Sequence, residues 1–220
     1  MKSNTQIHTV YKTKAGLRVP SVTTYLGILN KPAIVHWAWE LGVAGLDYRK
    51  VREQAGDTGT LVHYLILCYL KDVEPFLQEY TQSDITSTFI PMDKFAKWTR
   101  GKTIESILLE TPLVSETYQY GGTPDFYGNI DGILTLLDFK TSGAVYPENF
   151  YQLAAYRKLL EEYGYEVEES KIIRVGKSLD EGFEEQAVGN LEAHWQIFLA
   201  CQQIYELQKE AKRGAKKVNE

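Results

Sequence analysis

The clearest hydrophobic pattern in the chain lies between residues 121 and 140, where two apolar stretches flank the dipeptide Asp131-Gly132. An Asp-Gly pair in this setting is typical of a two-residue type I′ turn, so the segment predicts an antiparallel hairpin. The turn determines the strand register, and counting outward from it places Asp125 opposite Asp138. Both side chains are then expected on one face of the hairpin.

Two carboxylates that face each other repel unless a positive charge lies between them. A divalent cation would provide that charge, and Lys140 shares the face of Asp138 because it lies two residues further along the strand. The alternative is that Asp125 and Asp138 are both solvated on an open sheet face. The flanking leucines and phenylalanine instead favour a buried, central hairpin.

Other periodic segments surround the hairpin and predict mainly helices before it and a mixed sheet with helices after it. The simplest organisation is one domain over residues 1–220, with a mainly helical part at 1–110 and the sheet and its flanking helices at 111–220. The predicted helices cover residues 22–29, 32–52, 58–70, 91–109, 147–163 and 191–212, and the further strands lie in a hairpin at 6–19 and at 113–120, 171–175 and 182–188.

The helix predicted at residues 32–52 is rich in aromatic residues, and the pattern indicates that it is largely buried. Core packing is the usual role of such tryptophans. The alternative for Trp37 is stacking on a nucleobase. The strand at 171–175 follows a helix, so it is expected to lie parallel to the second hairpin strand.

Four further polar residues are candidates for chemistry. His63 lies in an apolar helix, where a histidine is usually a core residue, but Gly59 one turn earlier would allow another segment or a phosphate to approach closely. Glu116 is either an exposed strand carboxylate or another acidic group near a metal. Gln152 and Tyr156 are four residues apart and share a helix face.

The composition is that of a soluble globular protein: 44% of the 220 residues are hydrophobic, 24% are charged, and the net charge is −5. The negative charge argues against nucleic-acid binding by the whole surface, although a local basic groove remains compatible with it. No apolar run approaches the ~18 residues of a membrane span. The first ten residues also lack a signal-peptide core, so a cytoplasmic location is expected.

The chain contains two cysteines, Cys68 and Cys201, and both have apolar neighbours. This pattern predicts buried thiols in a reducing compartment. Two cysteines cannot supply the four thiolates that iron–sulfur clusters usually need, so no such cluster is expected.

The sequence of Pro124-Asp125 followed by Asp138-Phe139-Lys140 resembles the signature of the PD-(D/E)XK nuclease superfamily. Motifs at suitable spacing resemble those of its RecB-like branch, and residues 20–24 are similar to the N-terminal part of phage-borne members and of the mitochondrial genome maintenance exonuclease. The branch motifs are Gly59-x-x-x-His63, the run from Asp138 to Ser142, and Gln152-x-x-x-Tyr156.

The resemblance implies an α/β fold with a three-layer α/β/α, restriction-endonuclease-like core, a central mixed sheet and an N-terminal helical region. It implies one or two Mg²⁺ or Mn²⁺ ions. The implied metal ligands are His63, Asp125, Asp138 and the backbone carbonyl of Phe139. The implied catalytic residues are Asp125, Asp138 and Lys140, and the implied supporting or substrate-binding residues are Gln152, Tyr156, Gly59, Glu116 and Ser142.

The expected activity is hydrolysis of DNA by a metal-dependent exonuclease, in phage or mobile-element recombination, repair or processing. The expected substrate is DNA with a free end, with a recombination or replication protein as a possible partner and no membrane. One alternative is a structure-specific or flap endonuclease on the same core. Another is a catalytically silent module that binds DNA or a partner protein. The chain has neither the four cluster cysteines of some relatives nor a Walker A phosphate loop.

Overall fold

The computed structural model describes residues 9–217, so the predicted hairpin residues 6–8 and tail residues 218–220 lie outside the described part. Two short strands and five helices come first in this range, and five strands, a helix, two strands and a final helix follow. The strands are β1 (Tyr11–Lys12), β2 (Arg18–Val19), β3 (Ile104–Leu109), β4 (Leu113–Ser115), β5 (Tyr120–Gly122), β6 (Phe126–Ile130), β7 (Ile133–Lys140), β8 (Glu169–Val175) and β9 (Phe183–Ala187). The helices are α1 (Val22–Leu26), α2 (Pro32–Val43), α3 (Tyr48–Lys71), α4 (Gln82–Ser87), α5 (Phe89–Thr99), α6 (Pro147–Glu162) and α7 (Glu192–Lys217).

A five-stranded sheet in the order β3-β6-β7-β8-β9 organises the described residues. The β7–β8 pair is parallel and the other neighbours are antiparallel, which confirms the predicted mixed sheet and the parallel strand after α6. The tight turn is where the sequence predicts it, with positive φ at Asp131 (54°) and Gly132 (93°). The β6–β7 ladder ends at Phe126 opposite Leu137, so Asp125 and Asp138 lie at the next step.

Helices pack on both faces of this sheet and bury two separate cores. On one face, α1, α6 and α7 pack around Tyr127, Leu136 and Ile172 of the sheet. On the other face, α3 and α5 pack against Leu137 and Phe139. Successive side chains of β7 therefore enter opposite cores, as the alternation of a strand requires. This arrangement confirms the predicted three-layer α/β/α architecture.

Two elements before the hairpin differ from the sequence prediction. The helix predicted at residues 91–109 ends at Thr99, since Gly101 has a φ of 75°, and the chain continues as β3, the edge strand beside β6. One strand of the central sheet therefore precedes residue 111. The strand predicted at 113–120 is also wrong, because β4 and β5 pair with each other in a small separate sheet.

The helices before the sheet are divided differently from the prediction. The break comes after Val43, where Asp47 Oδ1 accepts a hydrogen bond of 2.9 Å from the backbone N–H of Arg49 and caps α3. Helix α3 then continues without interruption through Gly56, where a break is predicted. The predicted burial of α2 is wrong, because no residue of this helix is buried in the described structure and Trp39 is 63% exposed.

Candidate active site

Asp125 and Asp138 lie at the end of the β6–β7 hairpin that is remote from its turn. Asp138 is 1% exposed and lies on β7, which is hydrogen-bonded to β6 on one side and β8 on the other. Asp125 immediately precedes β6, and its Oδ2 accepts a hydrogen bond of 2.7 Å from the backbone N–H of Phe139. This bond holds the Asp125 carboxylate across the hairpin beside Asp138.

Lys140 connects Asp138 to helix α6. Its Nζ lies 2.5 Å from Asp138 Oδ2 and donates a hydrogen bond of 3.2 Å to Gln152 Oε1. Gln152 Nε2 in turn donates to the hydroxyl of Tyr156 at 2.7 Å. The structure thus brings the predicted Gln/Tyr pair to the lysine, where the two residues hold the ammonium group in place from one helix face.

His63 approaches Asp125 from α3, on the other side of the sheet. Its Nδ1 lies 3.7 Å from Asp125 Oδ1, and its ring packs edge-on against the ring of Phe139 at a centroid distance of 6.4 Å. The structure therefore brings the predicted site residues of three elements together. They are Asp125, Asp138 and Lys140 of the hairpin, His63 of α3, and Gln152 and Tyr156 of α6.

Glu110 completes this group, and sequence reasoning missed it. One ligand atom from each of His63, Glu110 and Asp125 lies within 4.8 Å of the other two. Glu110 directly follows β3, and its backbone N–H donates a hydrogen bond of 3.1 Å to the carbonyl of Asp125. The signal that could have revealed it is Gly101, a typical residue just after a helix, which separates α5 from the strand leading to Glu110.

The three carboxylates have unequal electrostatic environments, since Asp138 is buried, Asp125 is half-buried and Glu110 is only partly covered. Burial raises the pKa of Asp138 to about 6 against the opposing effect of Lys140, and the charge of Asp125 raises it further. Burial also acts on Asp125, but His63 and then Lys140 outweigh it and lower the pKa of Asp125. Burial, followed by the charge of Asp125, raises the pKa of Glu110. Acidic charge is therefore concentrated where cations only partly offset it.

His63 has a raised pKa in this environment. Burial opposes protonation of the imidazole, but the neighbouring Asp125 carboxylate outweighs burial. A cation placed between the two groups would replace the proton as the partner of Asp125, because a metal binds the neutral imidazole.

The donor set fits a small divalent cation. Two carboxylates and an imidazole within 4.8 Å of one another offer the oxygen and nitrogen ligands that Mg²⁺ or Mn²⁺ can use. Asp138 Oδ2 is buried and, among the described residues, has no well-directed hydrogen-bond donor, although Lys140 lies close to it as an ion pair. The backbone carbonyl of Phe139 stays a predicted ligand.

Two cavities open beside these residues. One, of about 670 Å³, is lined by residues of α3 together with Glu110, Ser142 and Lys177. Gly59 is at its wall, where a Cβ would lie 2.8 Å from Thr141 Oγ1, so the glycine allows the loop after β7 to approach α3 closely. The other cavity, of about 610 Å³, extends from Lys140 past the start of α2.

The structure does not bring Glu116 to this site. Its carboxylate accepts a hydrogen bond of 2.7 Å from the backbone N–H of Lys14, in the turn between β1 and β2. The cause is the separate β4–β5 pair, which directs the turn containing Glu116 away from the central sheet. The prediction of Glu116 as a supporting acidic residue is corrected accordingly, and Glu110 is the additional carboxylate.

Comparisons with known proteins add little to this geometry. No protein-family model and no curated protein matches the chain. An alkaline exonuclease from Laribacter hongkongensis is 14% identical with a TM-score of 0.34, covering 75% of this chain and 92% of that one. The structure of this exonuclease in complex with dAMP is 15% identical with a TM-score of 0.34, over the same shares of the two chains. A protein named SSO0001 is 13% identical with a TM-score of 0.32, covering 58% of this chain and 63% of that one.

TM-scores of this size leave the function to be inferred from the site itself.

Both cysteines are buried, Cys68 on α3 and Cys201 on α7. Within residues 9–217, no helix combines the length and the apolar character that crossing a membrane would require.

Proposed function

We propose that this protein is a divalent-metal-dependent deoxyribonuclease, acting as an exonuclease. The observation that supports this most strongly is the position of His63, Glu110 and Asp125 around one point next to the buried Asp138–Lys140 pair. A metal site beside a charged lysine is suited to hydrolysis of an anionic ester. The resemblance of the hairpin residues to the PD-(D/E)XK signature supports the same reaction class.

Each side chain has a distinct part in the proposed reaction. His63, Glu110 and Asp125 would hold Mg²⁺ or Mn²⁺, which when bound acidifies water and offsets negative charge on a phosphate. Asp138 stays a predicted further ligand of the metal, and its Oδ2 forms the ion pair that holds Lys140 beside the site. Lys140 supplies a positive charge for the phosphate oxygens, which gain charge in the transition state.

Gln152 and Tyr156 keep the ammonium group of Lys140 directed to this position. The hydrogen bond from Lys140 to Gln152 restricts a side chain that would otherwise sample many rotamers. Because Gln152 is itself held by the Tyr156 hydroxyl, the charge is preorganised before substrate binds.

Local positive charge supports an anionic polymer as substrate despite the net charge of −5. Arg52 and Lys177 line the cavity on the side of His63, and Lys31 and Lys140 line the cavity on the other side. Phosphates of a DNA strand can therefore meet cations on either side of the site. Action in the cytoplasm on phage or mobile-element DNA, with a recombination or replication partner, is part of this proposal.

The experiment that tests the activity compares end-labelled linear DNA with covalently closed circular DNA of the same sequence. The expected result is release of nucleotides from linear DNA in Mg²⁺ or Mn²⁺, with none in EDTA and an intact circle. Substrates labelled at the 5′ or the 3′ end, each single- or double-stranded, then give the polarity and the strand preference.

Cutting of the closed circle would overturn the exonuclease assignment and favour the endonuclease alternative. Binding of DNA without hydrolysis under all metal conditions would overturn the enzyme assignment and favour the silent module. Hydrolysis of RNA at a rate equal to that of DNA would contradict the substrate assignment.

A further inference from the structure

Helix α2 carries an apolar stripe that nothing in the described structure covers. Val35, Trp39 and Val43 are spaced four residues apart, so they share one face, and they are 66%, 63% and 70% exposed. The ring of His36 stacks on that of Trp39, with centroids 5.7 Å apart and planes 13° from parallel. An exposed apolar stripe of this kind typically marks an interaction surface.

The stripe lies between the approaches to the candidate active site. The first turn of α2, including Ile34, lines the cavity that reaches Lys140 and Gln152. At its other end, α2 leads through a short connection into α3, where Arg52 lines the cavity that contains His63. A strand that crosses the site and leaves through the first cavity would therefore pass the first turn of α2, the helix that carries the stripe.

The dimensions and chemistry of the stripe fit nucleobases. From Val35 to Val43 the helix rises about 12 Å, at ~1.5 Å per residue. This distance accommodates three or four bases at the ~3.4 Å spacing of a nucleic-acid strand. Aromatic side chains stack on bases of any sequence because every base has a π-face. Arg49 and Lys50 follow the helix and offer positive charge to the phosphates at that end, whereas Lys31, which precedes the helix, is paired with Glu148 at 3.2 Å.

We propose that the stripe Val35–Trp39–Val43, with His36, is a stacking platform for unpaired bases of the DNA strand that enters the site. This inference rests on the proposed nuclease function and makes it more specific. Bases in a duplex already stack on each other and hide their faces, whereas a single strand or a frayed end exposes them. Single-stranded DNA is therefore the preferred substrate.

The binding test uses a fluorescein-labelled 12-nucleotide oligo(dT) and the full-length protein, with Ca²⁺ replacing Mg²⁺ to prevent hydrolysis. Trp39→Ala is expected to weaken binding about tenfold, within the roughly 5- to 150-fold range of lost base–aromatic stacking. Trp39→Phe keeps a ring and is expected to restore most of the affinity. Phe89→Ala is the matched control, since Phe89 is 58% exposed on α5.

A second measurement separates the platform from the chemistry. Hydrolysis of bis(p-nitrophenyl) phosphate in Mn²⁺ needs the metal site. The ester itself is too small to reach the stripe on α2, so Trp39→Ala should leave the rate of its hydrolysis unchanged. Asp138→Asn should abolish it. If the wild-type protein hydrolyses neither this ester nor DNA, the proposed function fails, whereas the oligo(dT) measurement still tests the platform.

Two results would overturn the platform. One is an oligo(dT) affinity in Trp39→Ala equal to that of the wild-type protein and of Phe89→Ala. The other is a wild-type dimer in sedimentation velocity that Trp39→Ala converts to a monomer without loss of oligo(dT) affinity, because the stripe would then be an interface between copies of the chain.

Discussion

Two carboxylates in this protein, Asp138 and Glu162, have opposite relations to their surroundings. Glu162 ends α6, and its oxygens accept hydrogen bonds from Ser115 Oγ at 2.5 Å and from the backbone N–H groups of Glu116 and Thr117 at 2.8 and 3.1 Å. Asp138 is buried, yet its Oδ2 has no well-directed donor among the described residues. The first carboxylate is satisfied by neutral hydroxyl and N–H donors, whereas the second has the ammonium group of Lys140 as its charged partner.

The consequence appears in their acidity. Although burial opposes ionisation of Glu162, its hydrogen-bond donors outweigh burial and lower its pKa. At Asp138 burial dominates and raises the pKa. A carboxylate surrounded by neutral donors closes a turn, whereas a buried one whose partner is a cation keeps a raised pKa and the capacity to bind a proton or a metal ion.

The largest effect is expected from removing the charge of Asp138. We expect Asp138→Asn to lower the rate of DNA hydrolysis about a thousandfold, because in the proposed mechanism the residue holds the groups that act on the phosphate. The thermal midpoint should also fall by several degrees, since the largely buried ammonium group of Lys140 loses its counter-charge. Steady-state kinetics and differential scanning calorimetry measure the two quantities. Full activity in Asp138→Asn or in Lys140→Ala would defeat the mechanism.

A smaller effect is expected at Glu110, the proposed metal ligand that the sequence did not reveal. Glu110→Gln should raise the Mn²⁺ concentration needed for half-maximal activity at least tenfold, because an amide is a weaker ligand than a carboxylate. Glu116→Gln is the matched control, since this glutamate is directed to Lys14 instead. Equal metal requirements in the two variants would remove Glu110 from the site.

The satisfied carboxylate should affect stability rather than activity. Glu162→Gln is expected to lower the free energy of unfolding by about 1 kcal/mol, because a neutral amide oxygen accepts weaker hydrogen bonds from the backbone N–H groups of Glu116 and Thr117 than a carboxylate does. Urea denaturation at pH 7 measures this loss, and the rate of DNA hydrolysis should stay at the wild-type level. Lost activity with unchanged stability would reverse the assignment of the two acids.

The pH dependence follows from the same lowered pKa of Glu162 in the folded state. Its contribution to stability is present above the ordinary glutamate pKa and is lost as the pH falls through the lowered value. The stability difference between wild type and Glu162→Gln should therefore shrink on acidification below that range. A difference that grows at low pH would contradict this linkage.

The smallest expected effect concerns close packing at the wall of the site. Gly56→Ala on α3 meets no atom within 4 Å and should stabilise the helix by about 0.5–1 kcal/mol. Gly59→Ala should not gain this stabilisation, because its Cβ would lie 2.8 Å from Thr141 Oγ1. Urea denaturation compares the two variants, and an equal gain in both would show that the loop after β7 yields easily.

The hairpin was predictable from the sequence because its signals are local. The turn dipeptide, the apolar alternation and the three charged residues all lie within residues 121–140, so counting along two strands is enough to bring Asp125 and Asp138 together. The same applies to Gln152 and Tyr156, whose spacing on one helix face needs no tertiary information.

Glu110 and α2 were not predictable because their positions depend on distant segments. The spacing of Ile104, Ile107 and Leu108 fits a helix as well as a strand, and pairing with β6 decides in favour of the strand. The hydrophobicity of α2 predicts burial only if a neighbouring element covers it. In the described structure none does, since α1, α6 and α7 cover one face of the sheet and α3 and α5 cover the other, and no residue of α2 is buried.

The turn at Asp131–Gly132 and the Asp138 carboxylate lie at opposite ends of β7, about 20 Å apart along the strand. Between them, β8 pairs with β7 from Thr135 to Lys140 independently of the turn. A longer loop at Asp131–Gly132 would therefore leave the position of Asp138 intact. This site offers protein engineers an insertion point for an affinity handle or a targeting module, and it is a place where the gene can acquire new segments without losing the chemistry.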